Sequence, residues 1–246
     1  MSNDATNNLQ QSLDIITDLQ KKGQDTEAIS QLDTIFTQFP GHPHPYFLLG
    51  ISLFNLEKYG EAIDQISRAI AISPKVAEYH TYLGIALSKT EKKALAKVRF
   101  KAAISMDPRQ TDAAFHLGDI LIDEGKPQEA IEYLQKAVEV KPDFVEMWNN
   151  LGLCHKALKQ LQPAKECFLK AIELDENRAD SHINLAMTHL IMGEYTAGWQ
   201  EYEWRFKLAE STLCCPPPDD VTLWRGEPLA GKKLVIISEQ GFGDTL

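Results

Sequence analysis

The chain has 246 residues, 43% of them hydrophobic, which is more than one compact domain usually needs and enough for a sizeable core. Its formal net charge of −10 repels phosphate backbones and anionic lipid, so nucleic acid and membrane are poor partners to expect. The opening "MSNDATNNLQQ" has no basic segment followed by an apolar one, and no apolar run reaches the ~18 residues of a membrane helix; a cytoplasmic chain is expected.

A polar tail is expected over 1–8. From about residue 9 the chain repeats itself. Pro40, Pro74, Pro108 and Pro142 are thirty-four residues apart. So are Leu49-Gly50, Leu83-Gly84, Leu117-Gly118 and Leu151-Gly152, with Leu185-Ala186 continuing the series. Ala28, Ala62, Ala96, Ala130 and Ala164 keep the same interval, with Gly198 in sixth place; Ala69, Ala103, Ala137 and Ala171 form another row. A bulkier residue stands between the two alanine rows: Ile66, Phe100, Leu134, Phe168 and Tyr202. Two antiparallel helices approach closely only where side chains are small. Gly50 and its equivalents are therefore expected to face Ala62 and its equivalents, with the bulky class filling space toward the next repeat. Proline after each second helix sets the turn into the next hairpin. One hairpin cannot bury its apolar face alone, so the hairpins must stack.

This pattern resembles the tetratricopeptide repeat. The resemblance covers residues 9–212, six repeats starting near 9, 43, 77, 111, 145 and 179. It implies an all-α fold, a right-handed superhelical solenoid of helix–turn–helix units. The outer repeats depart from the pattern: Ile15-Ile16 replace Leu-Gly in the first, and the last has Gly198 for alanine and "GWQEYEWRFKL" for its second helix. Trp199, Tyr202, Trp204 and Phe206 are too aromatic for a merely solvated cap, which suggests that something packs there.

In tetratricopeptide solenoids the first helices line a concave face. The inward positions here are Phe47, Ile51, Phe54, Ile85, Phe115, Asp119, Ile122, Asn149, Leu153, Ile183 and Met187. This apolar strip with scattered acids suits an extended peptide, or else packs against neighbouring helices. The residue before Leu-Gly is His116 in the fourth repeat, Asn150 in the fifth and Asn184 in the sixth. In the similar arm of eukaryotic O-GlcNAc transferases, asparagine at this place grips peptide backbone, since an amide both donates and accepts. Here Leu48 and Tyr82 interrupt that ladder. The expected peptide groove is therefore Phe47, Phe115, His116, Asn149, Asn150 and Asn184. A clamp for a C-terminal carboxylate is not expected, because its lysine and arginine sites hold Phe47, Thr81, Phe115, Asn149 and Ile183.

Two other residue classes read as structural. His80 and His182 occupy a large-residue position shared with Tyr46 and Trp148, while His155 and His189 lie on a core-like face. Cys154, Cys167, Cys214 and Cys215 fit no zinc spacing, and no metal site is expected. Cys154 and Cys167 read as small buried apolar groups.

Beyond 212 the composition changes. Pro216, Pro217 and Pro218 open a linker, 213–231, with Gly226, Pro228 and Gly231 as turn residues. Over 232–246, Leu234–Ile237 reads as a buried strand and Gly241-Phe242-Gly243 as a loop toward a helix. The order "EYEWRF", linker, "WRGEPLAGKKL", "EQGFGDTL" resembles bacterial tetratricopeptide-containing glycosyltransferases, whose catalytic domain has two Rossmann-like halves (GT-B); "GFGDTL" is similar to the first loop of heptosyltransferases. That resemblance implies a general base at Asp244, with Gly241 and Gly243 in its loop; a helix N-cap is the other reading of Asp244. It also implies a nucleotide-sugar donor for the parent enzyme and no cofactor in this chain. The chain is then expected to be a recruiting arm carrying the first strand of an incomplete α/β domain. It would not be catalytic as it stands, and its own catalytic domain would be a further partner. The competing expectation is a free-standing adaptor.

Overall fold

The computed structural model describes residues 3–207 and, beyond them, Pro228, Ala230 and Gly231, with side chains from Asn8 onward. The described residues form twelve α-helices, a final 3-10 helix and no strand. Most of the expected linker, and the expected strand and glycine loop with Gly241, Gly243 and Asp244, lie outside the described residues, as do Cys214, Cys215 and Trp224.

The helices are α1 (Asn3–Lys21), α2 (Asp25–Gln38), α3 (Pro43–Asn55), α4 (Tyr59–Ile72), α5 (Ala77–Lys89), α6 (Lys93–Met106), α7 (Thr111–Asp123), α8 (Pro127–Val140), α9 (Val145–Ala157), α10 (Leu161–Leu174), α11 (Ala179–Ile191) and α12 (Tyr195–Tyr202). Helix α1 starts at Asn3, ahead of Leu9. The chain divides into two compact units, Met1–Cys154 and His155–Leu246, the division falling inside α9.

In the first unit α1 pairs with α2, α3 with α4, α5 with α6 and α7 with α8. The glycines explain how close these pairs come. A Cβ on Gly50 would stand 2.4 Å from Cγ1 of Ile66, one on Gly84 2.5 Å from the Phe100 ring, and one on Gly118 2.8 Å from Leu134. The bulky class therefore sits over the glycine of its own hairpin, and Phe100 also stacks on His116 of the next repeat, as expected. The Ala62 carbonyl, at 3.3 Å from that same Gly50 position, supplies the expected small contact beside it. Ile66, Phe100, Leu134 and the alanine rows beside them are fully enclosed and form the core.

Each hairpin turn uses one backbone device. Gly23, Glu57, Glu91, Gly125, Lys159 and Gly193 all have positive φ and lie thirty-four residues apart. The left-handed residue donates its N–H three residues back and the next residue donates five back, as in Gly125 to Ile122 (2.9 Å) and Lys126 to Leu121 (2.8 Å). Two otherwise orphaned helix-end carbonyls are satisfied this way.

A second device fastens the turn between hairpins. His80 Nε2 lies 3.0 Å from the Pro74 carbonyl, Trp148 Nε1 2.8 Å from that of Pro142, and His182 Nε2 3.0 Å from that of Glu176. A carbonyl only accepts, so each ring nitrogen donates. The large-residue position is thus a latch between the first helix and the loop before it, and these histidines are structural, as Trp148 is.

In the second unit α10 packs on α11 and α11 on α12. The second helix of this last hairpin stops at Tyr202, and a 3-10 turn, Glu203–Lys207, replaces the expected longer helix. Side-chain chemistry explains the change. Trp204 stacks face to face on His182 at 3.8 Å, and His182 Nδ1 meets Glu201 at 2.5 Å. Lys207 lies 3.5 Å over the Trp204 ring, and Arg205 stacks on Phe206 and Tyr202. Of the aromatic residues there, Trp199 is the open one, 57% exposed.

Candidate peptide-binding groove

Within the first unit successive first helices touch, α1 with α3, α3 with α5 and α5 with α7. Within that unit no two second helices touch. First helices therefore crowd one side of the stack, and their outward residues share one strip.

That strip differs from the expected one at two residues. Phe47 is 1% exposed, because Tyr79 of the next repeat packs on it at 4.5 Å and Tyr82 meets it edge-on at 5.3 Å. Asn149 is 7% exposed and likewise enclosed. Both occupy the inward register, yet the next hairpin covers Phe47, so this register serves the seam between repeats. The half-buried residues on the strip include Ile51, Phe54, Tyr82, Ile85, Phe115, His116, Asp119, Ile122, Asn150 and Leu153. Tyr82 lacks the amide expected of a ladder rung but brings a ring and a hydroxyl to that place; its recurrence one period before His116 is the signal that marks it.

The polar members are coupled across repeats. Nδ2 of Asn150 donates to Oδ1 of Asp119 at 2.5 Å. Burial pushes the Asp119 carboxyl up to about 6, against the Asn150 hydrogen bond, and Asp123 adds to the rise. His116 stacks on the core ring of Phe100 at 5.7 Å and contacts Phe115 at 5.1 Å. Burial lowers its pKa; Asp112 opposes that and Lys89 adds to it. Phe115 also packs on Phe144. Burial raises the Tyr82 phenol, and the carboxylates of Glu78 and Asp112 raise it further.

The second unit carries Asn184, whose Oδ1 accepts from Lys156 Nζ at 3.0 Å. Burial lowers the Lys156 pKa, and its ammonium lies 5.7 Å from the enclosed Phe168 ring. Asn150 and Asn184 thus each hold an internal partner.

No group of three metal-ligating side chains occurs among the described residues. Cys154 and Cys167 are buried thiols, and burial, with Glu166, pushes Cys167 up to about 12. No described helix is long and apolar enough to cross a membrane.

Family models for the tetratricopeptide repeat match residues 13–77, 118–159, 145–178 and 167–200, together more than half of the chain. The chain is a tetratricopeptide repeat protein. Solved tetratricopeptide structures share its fold. YrrB, described as a TPR protein with an unusual peptide-binding site, superposes with a TM-score of 0.64 at 21% identity over 70% of this chain and 89% of that one. MamA from Desulfovibrio magneticus RS-1 gives 0.62 at 19% identity over 68% of this chain and 94% of its own. PilF of Pseudomonas aeruginosa gives 0.59 at 24% identity over 66% and 74%. No curated protein matches the sequence.

Proposed function

We propose that this tetratricopeptide repeat protein binds an extended peptide segment of a protein partner along the first helices of residues 43–150. The observation that carries the reading is the strip itself: Ile51, Phe54 and Ile85 give an apolar floor, while Tyr82, His116, Asp119 and Asn150 bring hydrogen-bonding tips to the same side. An extended chain offers both side chains and backbone to such a surface. The peptide site named for YrrB, on a similar fold, supports the reading. Phe115 remains a proposed contact of that segment, and Asn184, on the second unit, a proposed peptide contact of its own; Phe47 acts through the seam beneath the strip. The test is capture of randomised twelve-residue peptides by the full chain, repeated with Ile85→Glu. Retention by the parent protein and its loss in the variant is the expected outcome. Equal retention would place the peptide elsewhere.

The partner-recruiting role belongs to one of two settings. In the first, the repeats are the arm of a bacterial glycosyltransferase, the reading supported by "WRGEPLAGKKL" and "EQGFGDTL". Asp244 would then be the acceptor-side base, in the loop of Gly241 and Gly243, and a nucleotide-sugar would be the parent's donor. In the second, the repeats are a free-standing adaptor, which the repeat architecture supports equally well. We place either in the cytoplasm, away from nucleic acid and membrane, on the net charge of −10 and the polar N-terminus. Sequencing past codon 246 separates them: further β–α units in frame favour the arm, an immediate stop the adaptor.

A further inference from the structure

The first helices carry an acid one turn before each residue that tops the strip. Glu78 precedes Tyr82 on α5, Asp112 precedes His116 on α7, and Glu146 precedes Asn150 on α9, always four residues apart. That spacing stacks the two side chains on one helix face. Asp119 adds a fourth carboxylate, half-buried and held by the Asn150 amide. Among the described residues, none of Glu78, Asp112 and Asp119 is ion-paired with a lysine or arginine. Lys93, Lys97 and Lys101 of α6 pair instead with Asp123 and Glu124 at the C-terminal end of α7 and with Glu129 of α8. Three lysines of α6 are thus committed to acids other than Glu78, Asp112 and Asp119.

A ring and carboxylates together are what a cationic side chain recognises, through cation–π attraction and charge-assisted hydrogen bonds. Tyr82 has Glu78 on its own helix and Asp112 on the next; its phenol responds to both. The second locus, Asp119 with Asn150, lies one repeat further on. Helices packed at ~8–10 Å and an extended chain rising ~3.3 Å per residue put the two loci about three residues apart along a bound peptide. Building on the peptide-groove reading, we propose that the preferred partner segment is basic: an extended peptide with two lysine or arginine side chains about three residues apart, one at Tyr82–Glu78–Asp112 and one at Asp119–Asn150. Apolar residues of the peptide would lie toward Ile51 and Ile85.

Three pooled peptide libraries test this, each of twelve randomised residues apart from two fixed positions three apart, holding lysine in one pool, alanine in the second and glutamate in the third. The full chain should retain the lysine pool at least tenfold better than either other pool at moderate salt. Glu78→Gln with Asp112→Asn and Asp119→Asn should abolish that preference while leaving helical circular dichroism unchanged. The charge-matched control Glu61→Gln with Glu132→Gln and Glu139→Gln, all exposed on second helices, should keep it. Equal retention of the lysine and alanine pools by the parent chain would overturn the basic-segment proposal and leave the peptide groove standing. Loss of preference in both variants alike would reduce it to the protein's overall charge and overturn it too. Retention of no pool would remove the groove itself.

Discussion

Glu57, Glu91 and Lys159 hold left-handed backbone where Gly23, Gly125 and Gly193 stand in the other repeats. A Cβ in that conformation crowds the following carbonyl, at a cost of roughly 1 kcal/mol. Lys159→Gly should therefore stabilise the chain by up to about 1 kcal/mol, and Gly125→Ala should destabilise it by about as much, both readable as shifts in urea midpoint. A loss of stability in Lys159→Gly would mean its side chain has a role beyond the turn. Asp119 makes a prediction in the pH dimension. Its folded pKa of about 6 exceeds the ~3.9 of an unfolded aspartate. Between those values the folded state holds the extra proton, so this group's contribution falls as pH rises through the window and is least favourable above it. Asp119→Asn should flatten the dependence of melting temperature on pH between about 4 and 6, relative to the parent. An unchanged profile would show the carboxyl to be solvated. At this scale the sequence was only half legible. Three of the six turn residues are glycine and announce themselves; the other three are visible only once the period is imposed. Phe47 shares its register with Phe115, and burial by a neighbouring hairpin, which a helical wheel cannot express, separates the two.

The helix pairs are legible for a plainer reason: wherever two helices touch, small and large residues must recur in fixed places. That recurrence gave the phase of every first helix from Pro43 to Ala179. What it left open was the partner of each notch, which proved to be the bulky residue of the same hairpin. Gly84→Ala would drive a methyl to 2.5 Å from the Phe100 ring, a ring with no exposed edge to yield toward. It should cost roughly 1–3 kcal/mol. Ala130→Leu, at a fully enclosed contact of α8, belongs to the same class and magnitude. The last helix is where element-level reading overshot. Tyr202 to Lys207 is helix-competent by composition, but Trp204 gains more by lying on His182 than by continuing a helix into solvent, and the backbone tightens to bring it there. His182→Ala removes both the stacking surface and the hydrogen bond to Glu176. It should loosen the 3-10 turn, seen as a red shift and lower yield-weighted anisotropy of the Trp204 fluorescence.

In a stack of hairpins the dominant contacts join sequence neighbours, and within the first unit they do: each helix packs on the next, and first helices reach only to the following first helix. Stability is then close to a sum of hairpin and interface terms. A groove built on such a scaffold inherits the property, since each reading residue stands on its own hairpin while its acid partner is supplied by the same helix or the next. The two proposed cation loci, one on α5 and α7 and the other on α7 and α9, should therefore be separable. Overpacking at Gly84→Ala strikes α5 and α6 directly. Native-state hydrogen exchange should show their amides losing protection first, with α4 and α7 following in part and α1 and α2 nearly unaffected at low denaturant. With single-lysine peptides added beside the lysine pool, the same variant should weaken the Tyr82 locus more than the Asp119–Asn150 locus, so that peptides with a single basic residue lose less than those with two. If protection instead fell by one common factor from α1 to α8, the first unit would be a single cooperative body, and the groove would respond to damage as a whole.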